Sequence, residues 1–350
     1  MESLLFTFNA VLPIIFCILV GYFVKRLKIF PDNFWGLLNK LCFRVFLPVL
    51  LFKNIYDISN IKAMGEYWQA LVFVSVAIIS IFFIGLLIVI LFVKDSSQKG
   101  VILQCVFRSN YAIIGIGLIE LLCANMTQTD LTLAKGIGAV ISAISIPIFN
   151  ILAIISLTIF VHDENNNVSV KDILIKICKN PLIIGVLTGI LFLVIRAFIP
   201  TTTNDAGDSV AVFSIRYFLD VNHNNDSFIY TTIKYLANAA TPTALVALGG
   251  AFSFSAVSKY KFQIILGTTL RTVVVPVICL LIAWALKFDK LYFPAFIALF
   301  ATPVAVSSAA MATEMKNDGE LAGQLVVWNT LISAITLFLI ILVSSSIGLV

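Results

Sequence analysis

A chain of 350 residues with 60% hydrophobic and 12% charged residues and a mean hydropathy of +1.06 cannot cover a water-facing surface; a soluble domain carries about 25% charged residues. Lipid is the solvent that fits this composition. The formal charge of +5 is spread between apolar runs and not gathered on one polar face, which argues against a nucleic-acid partner.

In lipid only helices and closed barrels satisfy their own backbone, and the apolar runs here are about twice the length of a barrel strand. The chain therefore reads as an all-α polytopic membrane protein. Runs of about 20 apolar residues between charged breaks place ten spans near 4–24, 34–54, 67–93, 100–123, 131–160, 180–199, 229–256, 262–286, 290–313 and 320–343. The start lacks the basic segment of a secretory signal, and Lys25, Arg26 and Lys28 follow the first run, so it reads as a retained span.

An even count puts both termini on one side. With the N-terminus outside, inner connections hold Lys25, Arg26, Lys28, Lys94, Lys99, Lys171, Lys176, Lys179, Lys259, Lys261 and Lys316. Outer ones hold Lys53, Lys62, Arg196, Arg216, Lys287 and Lys290. The positive-inside rule thus places both termini outside and the 161–179 connection in the cytoplasm. The long polar segment 200–228 becomes an external loop. Asn125-Met126-Thr127 and Asn225-Asp226-Ser227 fit the glycosylation pattern on that side.

Cys17, Cys42, Cys105, Cys123, Cys178 and Cys279 lie in or beside apolar runs without a CxxC, so they read as packing residues and no metal or other cofactor is expected. His162 and His223 fall in connections, and no HExxH or GxSxG occurs. The chain does not read as an enzyme.

Punctuation divides it into two five-span halves, 1–160 and 180–350, joined by 161–179. Pro48 lies 62 residues before Asn110, and Pro242 lies 61 before Pro303. Five is odd, so the second half is inserted upside down, as in the inverted repeats of many transporters. Prolines are common in membrane helices, and spacing alone leaves room for coincidence. The fourth span carries Arg108-Ser109-Asn110 and then Gly115-Ile116-Gly117; the ninth carries Thr302-Pro303 and Ser307-Ser308. Such residues halfway through a span are tolerated where they are buried in protein or line a polar cavity. Two breaks in equivalent places predict crossing, discontinuous helices whose half-helix N-termini attract an anion near the midplane.

Arg108 and Arg271 count to about 13–17 Å deep in a core roughly 30 Å thick. An arginine there normally faces a partner or a wet cavity. No Asp or Glu lies at comparable depth; Glu120 sits toward the outer end of the fourth span. Each arginine either meets an incoming carboxylate or ties down carbonyl groups of an interrupted helix. Asn110, Asn150, Asn329, Ser307, Ser308 and Gln104 are uncharged groups inside spans that either donate to a carboxylate or bridge helices. Asn110, Ser307 and Ser308 stand out because they lie at or near the breaks.

Five local sequences in span order resemble the auxin efflux carrier family. They are Phe43-Arg44-Val45-Phe46-Leu47-Pro48, Phe107-Arg108-Ser109-Asn110, Lys179-Asn180-Pro181, Ala239-Ala240-Thr241-Pro242-Thr243-Ala244-Leu245 and Ala301-Thr302-Pro303. The resemblance implies ten spans in a five-plus-five inverted repeat, similar to bile-acid symporters and sodium/proton antiporters. It also implies a scaffold from spans 1, 2, 6 and 7, a transport unit from spans 3–5 and 8–10, and elevator-like alternating access. The substrate site would lie at the crossing of spans 4 and 9, with Asn110 and Pro303 matching the family's residues there, and a homodimer would form through the scaffold. Where the family has a Gly-x-Pro in span 4 this chain has Gly115-Ile116-Gly117, and Ser307-Ser308 replaces a second proline in span 9. The short 161–179 connection resembles the compact, bacterial-type branch.

The reading is a secondary transporter in the plasma membrane for a small organic anion such as a dicarboxylate. A channel-like protein or a receptor is the alternative. The candidate substrate residues are Asn110, Arg108, Pro303, Ser307, Ser308, Gly115, Gly117, Asn150 and Arg271.

Overall fold

The computed structural model describes residues 2–56, 67–123, 127–160, 179–198, 201–203, 209–211, 228–253 and 255–350. Most of the 161–179 connection, most of the 200–228 loop, both histidines and Asn125, Met126 and 225–227 of the two glycosylation-type triplets lie outside them.

The described chain is helical apart from two three-residue strands, β1 (Thr201–Thr203) and β2 (Ser209–Ala211), which pair antiparallel, and one isolated bridge. α1 covers Glu2–Arg26, α2 Phe34–Leu41, α3 Leu47–Tyr56, α4 Trp68–Phe92, α5 Ser96–Phe107, α6 Ile116–Leu122 and α7 Gln128–Thr158. After these come α8 (Pro181–Phe198), α9 (Phe228–Ala251), α10 (Ala256–Lys259), α11 (Lys261–Thr269), α12 (Val275–Ala285), α13 (Phe293–Ala301), α14 (Ser307–Glu314) and α15 (Gly319–Ser346).

Three wide π turns link neighbouring helices: Cys42–Phe46 joins α2 to α3, Tyr111–Gly115 leads into α6, and Leu270–Val274 joins α11 to α12. Two of them immediately precede a proline region, at Pro48 and Pro276. A helical proline lacks its N–H and crowds the carbonyl four residues back, and one extra residue in the turn relieves that conflict. Polar side chains hold several helix starts: Asp95 accepts from Ser97 N at 2.9 Å, Thr127 from Asp130 N at 3.2 Å and Asp318 from Leu321 N at 2.9 Å.

Five helical segments are long and apolar enough to cross a membrane: Phe34–Tyr56, Trp68–Phe92, Thr129–Thr158, Lys261–Ala285 and Gly319–Ser346. Two more, Pro181–Ile195 and Lys290–Ala301, are apolar but shorter. By length and apolarity the described residues thus provide five such spans against the ten runs in the sequence. Part of the difference is interruption: α5 and α6 measure 12 and 7 residues, and α13 and α14 measure 9 and 8.

α4 explains why lipid must surround the molecule. Ala70, Val74, Ile78, Phe82, Gly85 and Val89 recur every three or four residues and face protein, while Val72, Val76, Phe83, Ile84, Leu87 and Leu91 lie exposed on the other side. A helix apolar all round, with one face outward, suits hydrocarbon and not water.

Packing sorts the helices into two groups. α1, α2, α3, α8 and α9 lie mainly on one another; α4–α7 and α11–α15 do the same. α1 meets α15 and α9 meets α14 between the groups. Within the first group backbones come very close: a Cβ at Gly249 would collide with the Ile18 carbonyl, and one at Gly185 with the Pro48 carbonyl. Small residues at helix crossings permit such contact in membranes.

Candidate functional site

Helical hydrogen bonding stops after Phe107, where Arg108 is extended (φ −86°, ψ 120°), and after Ala301, where Thr302 is extended (φ −70°, ψ 151°). The two extended pieces run antiparallel. Ser109 bridges to Val304, and Asn110 N donates to Pro303 O at 2.8 Å. Unpaired backbone groups are costly inside a membrane, and this exchange between the two stretches supplies partners that each helix lacks.

Arg271 supplies more. It sits in the π turn before α12, 1% exposed. Its Nε donates to Thr302 O at 3.1 Å, Nη2 to Thr302 O at 2.8 Å and Leu299 O at 3.1 Å, and Nη1 to Val106 O and Phe107 O at 3.4 Å each. These carbonyls belong to the C-terminal ends of α5 and α13, where intrahelical donors run out and the helix dipole is negative. Of the two roles the sequence leaves open for Arg271, the geometry has it tying down carbonyls.

Arg108 is differently placed. It is 4% exposed; Nη2 donates to Asn150 Oδ1 at 2.8 Å, and Nη1 to the Met311 thioether. Asn150 is held in turn by donating Nδ2 to Ile146 O at 2.8 Å. Arg108, Ser109 and Asn110 form one wall of a cavity of about 60 Å³, with Ala305, Val306 and Ser307 from the other extended stretch. α7 adds Ile146, Phe149 and Asn150, α3 adds Leu47, Leu50, Leu51 and Asn54, and α9 adds Thr241 and Ala244. The cavity therefore lies where the two helix groups meet.

Among the described residues no Asp or Glu lines this cavity, and Arg108 is the sole Lys, Arg or His on its walls. Asn110 Nδ2 and Ser109 Oγ are buried without a hydrogen-bond partner. A buried guanidinium with only an amide oxygen and a weakly accepting thioether, beside unpaired neutral polar groups, is a place where a carboxylate would gain strong hydrogen bonds. The helical turns opening at Tyr111 and at Ser307 start beside it, so their positive ends add to the attraction.

Among the other sequence candidates, Pro303 lies in the extended pairing and off the cavity walls. Ser308 is buried one residue beyond them, its Oγ also without a partner. Gly115 ends the π turn against the Tyr111 ring and does not line the cavity, and Gly117 lies in α6. Asn329 bridges helices, donating to Leu325 O at 2.9 Å and Thr268 Oγ1 at 3.2 Å, and Gln104 approaches Met311 Sδ at 3.6 Å. Glu120 pairs with Lys135 at 2.8 Å in an exposed position.

Sequence reasoning passed over Asn54, Thr241, Ser109 and Met311 as site residues. Thr241 carried a signal, standing directly before Pro242 inside α9. Met311 carried none, because a thioether gives no hint in sequence that it faces a guanidinium. Among the described residues no cluster of three His, Cys, Asp or Glu could hold a metal ion.

A comparison with curated proteins finds no match. A family model described as Membrane transport protein matches residues 6–341 of the 350. With apolar spanning helices, an outward apolar face on α4 and a match over nearly its whole length, the chain belongs to the membrane transport protein family, that of the auxin efflux carriers, and is a multi-pass membrane transporter.

Proposed function

We propose that the protein is a secondary active transporter for a small organic anion bearing a carboxylate, which binds in the cavity beside Arg108. The observation that carries this reading is the buried Arg108 guanidinium on the wall of a cavity that unpaired Asn110 and Ser109 also line, with no acidic residue on the walls among the described residues. An arginine at that depth calls for a partner, and among the described residues it has Asn150 and Met311.

The cavity's position supports alternating access. One set of walls comes from α3 and α9, the other from the stretch after α5, from α7 and from the stretch leading into α14. Sliding one helix group against the other, as in an elevator, would carry the extended stretches and a bound anion across the fixed face. In this reading 1–160 and 180–350 are inverted five-span repeats with crossing interrupted helices, joined by a cytoplasmic 161–179 connection. Both termini and the 200–228 loop are outside the plasma membrane, and two copies pair through α1, α3, α8 and α9.

Flux into liposomes tests the core of it. Saturable uptake of a labelled organic acid, with counterflow driven by unlabelled acid inside, is expected for a carrier; a channel would give neither saturation nor counterflow, and a receptor would give no flux. Arg108→Ala should abolish flux while leaving a folded protein, and undiminished transport in that variant would remove Arg108 from the site. Cysteine labelling that reaches 161–179 from outside would overturn the orientation.

A further inference from the structure

We propose that the cavity selects ligands by charge number, taking a small monocarboxylate whose remaining surface is uncharged and rejecting the dianion of a dicarboxylate. This rests on the anion reading above and deepens it. Charge on the walls is the first argument. Arg108 contributes one positive charge, and α3, α7, α9 and α14 contribute no Lys, Arg or His there. Arg271, the other deep cation, is engaged with the carbonyls of Val106, Phe107, Leu299 and Thr302 and does not reach the cavity. A monoanion beside Arg108 leaves the occupied site neutral. A dianion leaves one buried negative charge without a cation, and a buried charge of that kind is strongly unfavourable.

The shape of the wall is the second argument. Asn110 Nδ2 and Ser109 Oγ, both buried and unpaired, belong to residues that line the same cavity as Arg108, and each is a donor available to an anion there. Beyond them Leu47, Leu51, Phe149, Ala244 and Val306 present hydrocarbon. Thr241 and Asn54 supply neutral polar groups that suit a hydroxyl or amide but do not neutralise a second carboxylate. The cavity is small, about 60 Å³, and the acids chosen to test it are accordingly short.

Four-carbon ligands separate charge from size. Purified full-length protein is unfolded thermally against increasing butyrate, succinate, succinamate (the monoamide of succinate) and butyramide, at about pH 7.5 and about pH 5. Butyrate and succinamate, each a monoanion, are expected to raise the midpoint with similar affinity. Succinate at the higher pH should bind on the order of 100-fold more weakly than succinamate, because its second charge is uncompensated. Its affinity should climb toward that of succinamate at the lower pH as the second carboxyl takes a proton. Among the described residues the titratable groups on the walls are Arg108 and Tyr111, whose hydroxyl donates to Gly138 O at 2.8 Å, and succinamate serves as the control for any change in the protein itself. Succinate binding as tightly as succinamate at the higher pH overturns charge selection and leaves the anion reading standing. No stabilisation by any of the three acids, or equal stabilisation by butyramide, overturns both.

Discussion

Arg271 grips the carbonyl of Thr302 with two nitrogens, Nε at 3.1 Å and Nη2 at 2.8 Å, and so fixes the residue at which α13 ends. The same guanidinium reaches Val106 O and Phe107 O at the end of α5. One side chain thereby joins the ends of two helices that are far apart in sequence.

Arg271→Met should therefore destabilise the fold. It strips donors from four buried carbonyls, and each buried group left unpaired costs about 1–3 kcal/mol. Arg271→Lys should recover part of the loss, since an ammonium has three donors and no planar fork. The check is the unfolding midpoint of monodisperse protein in detergent. An unchanged midpoint combined with lost transport would assign Arg271 to the substrate instead.

Asn150→Asp should silence the site without unfolding the protein. The change puts a carboxylate where an amide oxygen now accepts from Arg108 Nη2 at 2.8 Å. That internal ion pair competes with an incoming anion, and affinity should fall at least about tenfold for the loss of one charge-assisted contact. The thermal midpoint should hold or rise. Wild-type anion affinity in this variant would show that Arg108 does not meet the ligand.

Gly249→Ala should loosen α1 from α9. Gly249 faces the Ile18 carbonyl and Gly21 faces the Val246 carbonyl, so each glycine accommodates the opposite backbone. Overpacking of this type costs about 1–3 kcal/mol. Gly136→Ala is the matched control: a Cβ there meets nothing within 4 Å, and alanine in a helix interior is better than glycine by about 0.5–1 kcal/mol. Equal midpoints for the two variants would count against close α1–α9 packing.

Tyr260 gives a pH signature. Its hydroxyl lies 3.1 Å from both Asp318 Oδ1 and Glu320 Oε2, and Lys259 Nζ donates to Glu320 Oε2 at 3.1 Å. Burial, with a smaller contribution from the neighbouring acids, pushes the phenol from its ordinary 10.0 up to about 12. A group raised in the folded state stabilises fully below its unfolded value and loses that contribution as pH rises through its folded value. Stability of the wild type should thus fall between about pH 10 and 12 more steeply than that of Tyr260→Phe. Parallel curves for the two proteins would remove Tyr260 as the cause.

Hydropathy was readable from the chain alone because lipid demands it over long runs: the solvent, the helical class and the unusual polar stretches at 108–110 and 302–308 all follow from composition and order. Local chemistry also marked Arg108, Asn110, Asn150 and Ser307, since charged, amide and hydroxyl groups inside an apolar run need a reason to be there. Tertiary structure alone separated the two arginines. Both are buried, and only the packing of α5, α12 and α13 directs Arg271 onto carbonyls while leaving Arg108 beside an open cavity. Likewise Asn54, Thr241 and Met311 become neighbours of that cavity through contacts between residues dozens to hundreds of positions apart. Burial preference is a property of each residue and can be read one by one; which buried groups meet depends on helix packing, and packing is a property of the whole.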